Sequence, residues 1–137
     1  MSAFPGEPGS QDFVEVRLPA AGAYLSVLRT ATAGLAARLD FTLDEIEDLR
    51  IAVDEACAIL LQQARPDSVL ECVFSLVGDS LRVTVSAPTT EGHAPERDTF
   101  AWTVLTALAG EVESAVGEDK TVSISLHKKR GAAPGAL

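Results

Sequence analysis

FTLDEIEDLRIAVDEACAILL, residues 41–61, is the stretch whose reading settles the rest of the chain. Thr42 stands as an N-cap, Glu45 three residues on completes a capping box, and Phe41 is placed to staple against Ile46. The spacing predicts a helix running to about Ala64, because Pro66 forbids much more. At roughly 100° per residue, Ile46, Leu49, Val53, Cys57, Leu60 and Ala64 share one face, suited to packing on a sheet. The opposite face carries Ile51, Ala52, Glu55, Ala58 and Ile59, so apart from Asp48, Glu55 and Gln62 it is apolar where solvent is expected. A helix apolar on both faces is covered on both. Within the chain, the linker over residues 88–97 is the nearest candidate cover.

Outward from this helix the periodicity changes. Upstream, FVEVRL at 13–18 alternates Val14, Val16 and Leu18 against Glu15 and Arg17, the two-residue period of a half-buried strand, and residues 21–39 carry Leu25, Leu28, Leu35 and Leu39 at helical spacing. Downstream, SVLECVFSLV and LRVTVSA flank Gly78-Asp79-Ser80 as a hairpin. DTFAWTVLTALAG reads as a shorter helix capped near Asp98 or Thr99 and stopped by Gly110, and EVESAV with TVSISLH forms a second hairpin. Segregated helices and dominant hairpins give an α+β fold: a two-layer sandwich, with a mixed, mostly antiparallel sheet and helices on one face. One domain over residues 12–128 is expected, between disordered segments at 1–11 and 129–137.

Composition narrows the function. A net charge of −9 over 137 residues argues against a nucleic-acid backbone as partner, since that binding needs Lys and Arg on phosphates, and favours a basic protein surface. No run approaches the roughly 18 apolar residues of a membrane span, and MSAFPGEPGS has neither the basic nor the apolar region of a signal peptide, so a cytoplasmic location without membrane contact is expected. Lys128, Lys129 and Arg130 form the one basic cluster, read as a solvated tail. Cys57 and Cys72 lack the spacing and histidines of a zinc site; two buried small hydrophobes or a regulatory disulfide are the readings left open.

The run from about residue 12 to 128 resembles the anti-sigma factor serine kinases, the RsbW-like branch of the GHKL ATPase superfamily. The phrase DLRIAVDEACAI matches that family's D-x-x-x-A-V-x-E-A-C-x-N, and DLRIAVDEAC, RPDSVL and FAWTVLTALAGEV are similar to the actinobacterial members that bind a sigma-F type of stress sigma factor. The resemblance implies a GHKL, Bergerat-like fold, ATP with magnesium as the family ligand, a sigma factor and an anti-anti-sigma antagonist as protein partners, and a homodimer. It also implies that Glu55 matches the glutamate that orients or deprotonates the attacking hydroxyl, that Ile59 stands where an asparagine binds magnesium, and that Arg29 matches a sigma-contacting arginine.

Three departures bear on the nucleotide. An isoleucine at 59 offers no oxygen to a hard cation. Where the family writes V-x-D-x-G-x-G, this chain has VTVSAPTTEG, so the adenine-binding aspartate is Ala87 and the two glycines are Thr89 and Glu91. The glycine-rich phosphate loop aligns with APERDTFAW, which has no glycine for close backbone approach. Glu55 is then the relic of a general base, and no cofactor is expected. Two further readings stay open: an active ATP-dependent serine kinase acting on an antagonist, for which Glu55 alone speaks, and an α+β domain with an unrelated ligand. Arg29 reads equally as a solvated helix residue.

Overall fold

A computed structural model describes residues 12–131. The elements are β1 (Asp12–Pro19), a 3₁₀ turn (Gly22–Tyr24), α1 (Leu25–Arg38), α2 (Leu43–Leu61), β2 (Val69–Val77), β3 (Ser80–Pro88), α3 (Phe100–Ala109), β4 (Glu111–Val116) and β5 (Thr121–Lys129). The strands make one five-stranded sheet in the order β1-β2-β3-β5-β4. The two-layer α+β sandwich is as expected, but the sheet is not mixed: all four pairings are antiparallel. β3 and β4, which the helix between them sets on the same course, would have supplied a parallel pair. β5 inserts between them and converts it into two antiparallel ones.

Alternation along the strands puts Leu70, Cys72 and Phe74 of β2, Leu81, Val83 and Val85 of β3, and Val122, Ile124 and Leu126 of β5 under the helices, all buried. On β3 and β5 the other face is mostly polar, and hydroxyl pairs run across its centre: Thr84 with Ser125 at 2.9 Å, and Ser86 with Ser123 at 2.8 Å. Central strands that are apolar on one side and hydroxylated on the other fix their own register, because a one-residue slip would invert both faces.

α2 is the central helix. It lies over β3 and β5 with α1 on one flank and α3 on the other. That placement corrects the two-faced reading of its sequence. Leu49, Ala52, Val53, Ala56, Cys57 and Leu60 form one broad buried arc, because a helix with neighbours on three sides needs more apolar surface than one resting on a sheet alone. Ala52 belongs to this arc, whereas Ile51 and Ala58 remain exposed.

The capping box at the start of α2 is formed as the sequence requires. Thr42 N–H donates to Glu45 Oε1 at 2.8 Å, and Glu45 N–H donates to Thr42 Oγ1 at 3.2 Å. Thr42→Ala removes one of these bonds, and we expect it to lower folding free energy by about 1 kcal/mol in chemical denaturation. The far end stops at Leu61 rather than near Ala64, since Ala64 is drawn into a bridge with Thr89 and Arg65 N–H donates to Pro88 O at 2.9 Å.

Of the basic cluster, Lys129 and Arg130 are exposed as expected, but the segment is tied to the fold and is not a free tail. β5 extends to Lys129, Lys128 Nζ donates to Leu108 O at 2.7 Å near the end of α3, and Arg130 donates to Leu39 O at 3.3 Å beyond α1. Both cations thus meet carbonyls at helix C-termini, where positive charge is favoured. Gly131 N–H reaches Glu45 Oε2 at 2.7 Å, fastening the end of this segment to the first turn of α2. The expected disordered segment at 1–11 and positions 132–137 of the tail lie outside the described residues.

Candidate functional site

α2 presents one flank to a cleft of about 850 Å³. Its walls are the end of α2 with the turn that follows it, the linker that follows β3, and the start of α3. Ile59 comes from the helix, and Gln62, Gln63 and Ala64 from the turn just beyond its end; Thr90, Glu91, His93 and Glu96 come from the linker; Thr99, the N-cap of α3, closes the end with its hydroxyl accepting from Trp102 N–H at 3.2 Å. The expected linker cover is therefore partial: it stands beside Ile59 across a cleft instead of sealing it.

The sequence-derived positions separate on this geometry. Ile59 and Glu91 line the cleft. Glu55, one turn earlier on the same helix, is half-buried and lies outside the cleft lining. Ala87 is buried on β3, opposite Val122 of β5 and on the helix side of the sheet, so its methyl group belongs to the core. Thr89 is buried too, and its hydroxyl is fully used: it donates to Lys120 O at 2.6 Å and accepts from Gly92 N–H at 2.8 Å. Gly92 needs to be glycine, since its φ of +70 is left-handed and an added Cβ would stand 3.1 Å from the Lys120 side chain.

Arg29 is tied down rather than freely solvated. Its guanidinium donates to Asp54 Oδ2 at 3.1 Å, an ion pair joining α1 to α2. Being partly exposed on both sides, such a pair adds little to stability. Any partner approaching α1 meets Arg29 already engaged.

Among the described lining residues there is no Lys or Arg, while two carboxylates, Glu91 and Glu96, face the space. The Ile59 side chain is a hydrocarbon and offers no oxygen ligand, and no group of three or more metal-binding side chains occurs among the described residues. The cysteines offer no thiolate either. Burial, with Asp54 adding to it, pushes the Cys57 thiol up to about 12, and burial beside Cys57 pushes Cys72 up as well. Both are free thiols in the core, on α2 and β2.

Sequence reasoning does not single out Gln63. Its side-chain amide donates to His93 O at 2.7 Å and accepts from His93 N–H at 3.2 Å, holding the linker to α2. No local signal marks it, because a glutamine at the end of an amphipathic helix is unremarkable until its partner thirty positions away is placed.

No protein-family model matches the chain. Over 101 residues it is 36% identical to a Mycobacterium tuberculosis protein named anti-sigma-F factor RsbW, an alignment covering 74% of this chain and 60% of that one. Over 75 residues it is 39% identical to a Bacillus cereus protein named serine-protein kinase RsbW, covering 53% of this chain and 47% of that one. The chain thus spans between 47% and 60% of the length of these two curated relatives. Among solved structures it superposes with a TM-score of 0.70 on a crystal structure of the RsbU and RsbW domains of a Mycobacterium tuberculosis protein, over 88% of this chain and 33% of that chain, at 14% sequence identity. At that identity the likeness speaks to fold alone. No helix among the described residues is long and apolar enough to cross a membrane.

Proposed function

This chain belongs with the RsbW-like proteins, and from that premise we propose that it is an anti-sigma factor that sequesters a sigma factor of the stress or sporulation type, with a nucleotide site that no longer serves phosphoryl transfer. The observation that carries the first half is the 36% identity over 101 residues to a protein named for sigma-F antagonism. Support for the second half comes from the cleft. Phosphoryl transfer depends on positioning and on positive charge about the phosphates, and the wall offers Ile59, Glu91 and Glu96 in those surroundings.

The partner surface follows from charge. The net charge is −9, and Asp44, Glu47, Asp48, Asp54 and Glu55 are spread along the exposed and half-exposed positions of α2. Sigma factors carry basic regions that read DNA, so an acidic helix layer beside Arg29 is suited to them. An anti-anti-sigma antagonist is the second protein partner in this reading, and a homodimer is the assembly in which we place the chain.

A second reading, an active serine kinase, draws on the relative named for that activity and on Glu55, which keeps its place on α2. One experiment separates the two. We expect the purified chain to co-elute in size-exclusion chromatography with a stress or sporulation sigma factor of its source organism, with an association rate that falls as salt rises, and to show no magnesium-ATP binding by calorimetry at micromolar concentrations. Failure to co-elute with any such sigma factor overturns the anti-sigma reading. Micromolar binding of magnesium-ATP, followed by transfer of phosphate to an antagonist that Glu55→Gln abolishes, establishes the kinase instead.

A further inference from the structure

The linker after β3 changes character at His93. Up to that point it is fastened on both sides. Arg65 N–H donates to Pro88 O at 2.9 Å, Thr89 N–H to Lys120 O at 3.1 Å, and Thr90 N–H to Gln63 O at 3.2 Å. Two side chains finish the work. The Thr89 hydroxyl bridges Lys120 O and Gly92 N–H, and the Gln63 amide makes the pair of bonds to His93 that a neighbouring strand would otherwise make. Only one orientation of that amide satisfies both the N–H and the C=O of His93, so the side chain and the backbone fix each other. Beyond His93, positions 94–98 are mostly exposed, and they are fastened locally to α3, through Thr99 Oγ1 to Glu96 O at 3.3 Å and through Arg97 stacked 5.1 Å from the Trp102 ring centre.

We propose that Gln63 and Thr89 form a two-point latch that keeps residues 89–93 as a permanent wall of the cleft. The cleft is then shaped before any ligand or partner segment arrives and does not depend on a loop folding over it. Each latch point holds its own amide: Gln63 holds that of His93, and Thr89 holds that of Gly92. Hydrogen-bonded backbone donors in such pairs exchange chiefly when the pair opens, so the two amides report the two points separately. The inference is independent of which partner the chain binds, since it concerns the wall alone.

Hydrogen exchange followed by NMR on the isotope-labelled full chain tests it. In the wild type the Gly92 and His93 amides should exchange at least about tenfold more slowly than the same sequence does as a free peptide. Gln63→Ala should restore most of the peptide rate at His93 and leave Gly92 slow; Thr89→Val, which keeps the shape and removes the hydroxyl, should do the reverse. Amides of β3 and β5 serve as the reference for global stability. Wild-type Gly92 and His93 exchanging at the free-peptide rate would show a mobile loop and end the proposal without any variant. Variants that speed both amides alike, in step with β3 and β5, overturn it as well, because the effect would then be general destabilisation and not release of a latch.

Discussion

Replacing Phe74 by alanine is expected to lower the free energy of folding by about 3–5 kcal/mol, which for a domain of this size is a large part of the total. Phe74 is the largest of the fully buried side chains. It sits in the middle of β2, paired with Val14 of β1 on one side and Val83 of β3 on the other. Both neighbours are held by ladder hydrogen bonds, so the strands cannot slide together to fill the space. α2 rests on β3 and β5 and cannot drop toward β2 without leaving them. The cavity therefore stays open and its cost adds to the lost transfer energy. Urea denaturation should show the midpoint fall with the slope unchanged. A loss under about 1.5 kcal/mol, well below the usual range for such a truncation, would mean that the helix layer collapses into the gap, and that the cleft beside α2 is less firmly set than the linker contacts imply.

How much of this is written in the sequence depends on the distance between the partners. The start of α2 is legible because Thr42, Glu45 and the first turn lie within four residues, and the strands are legible because alternation is local. The position of Ile59 in the cleft follows from its spacing along a helix already secure. What escapes is long-range. The end of α2 is set by Thr89 and Pro88, more than twenty residues on, and no propensity at Gln62 or Ala64 announces that. Lys128 and Arg130 look like a solvated run because Leu108 O and Leu39 O are twenty and ninety-one residues away. The insertion of β5 between β3 and β4 is likewise a choice of pairing that hydrophobic period cannot record. Arg29 is found by position, but its engagement with Asp54 requires the packing of α1 on α2.

Ala87→Asp installs the side chain that the resemblance expects at this place, and it is expected to destabilise the fold instead of creating a nucleotide site. Ala87 is 1% exposed and faces Val122 under the helix layer. A carboxylate there leaves water without a partner, which costs several kcal/mol. The pH dependence carries a signature. Burial disfavours the charged form, so the folded-state pKa of the new carboxyl rises above the ordinary value of about 3.9. Below about pH 4 it is neutral in both states, and the loss relative to wild type is only that of a polar group in the core. As pH climbs from there toward the raised folded value, the unfolded chain ionises while the folded one resists, and the deficit widens by about 1.4 kcal/mol per pH unit until the folded group ionises too. Denaturation midpoints of the two proteins, compared at intervals from about pH 4 to about pH 7, should therefore diverge with rising pH, and calorimetry with magnesium-ATP should register no binding by the variant where it remains folded. A deficit that stays constant across that range would mean that the introduced carboxylate escapes the core and reaches solvent or the cleft. The new side chain would then stand where a base could be read, and the proposed loss of nucleotide binding would need a cause other than the burial of this position.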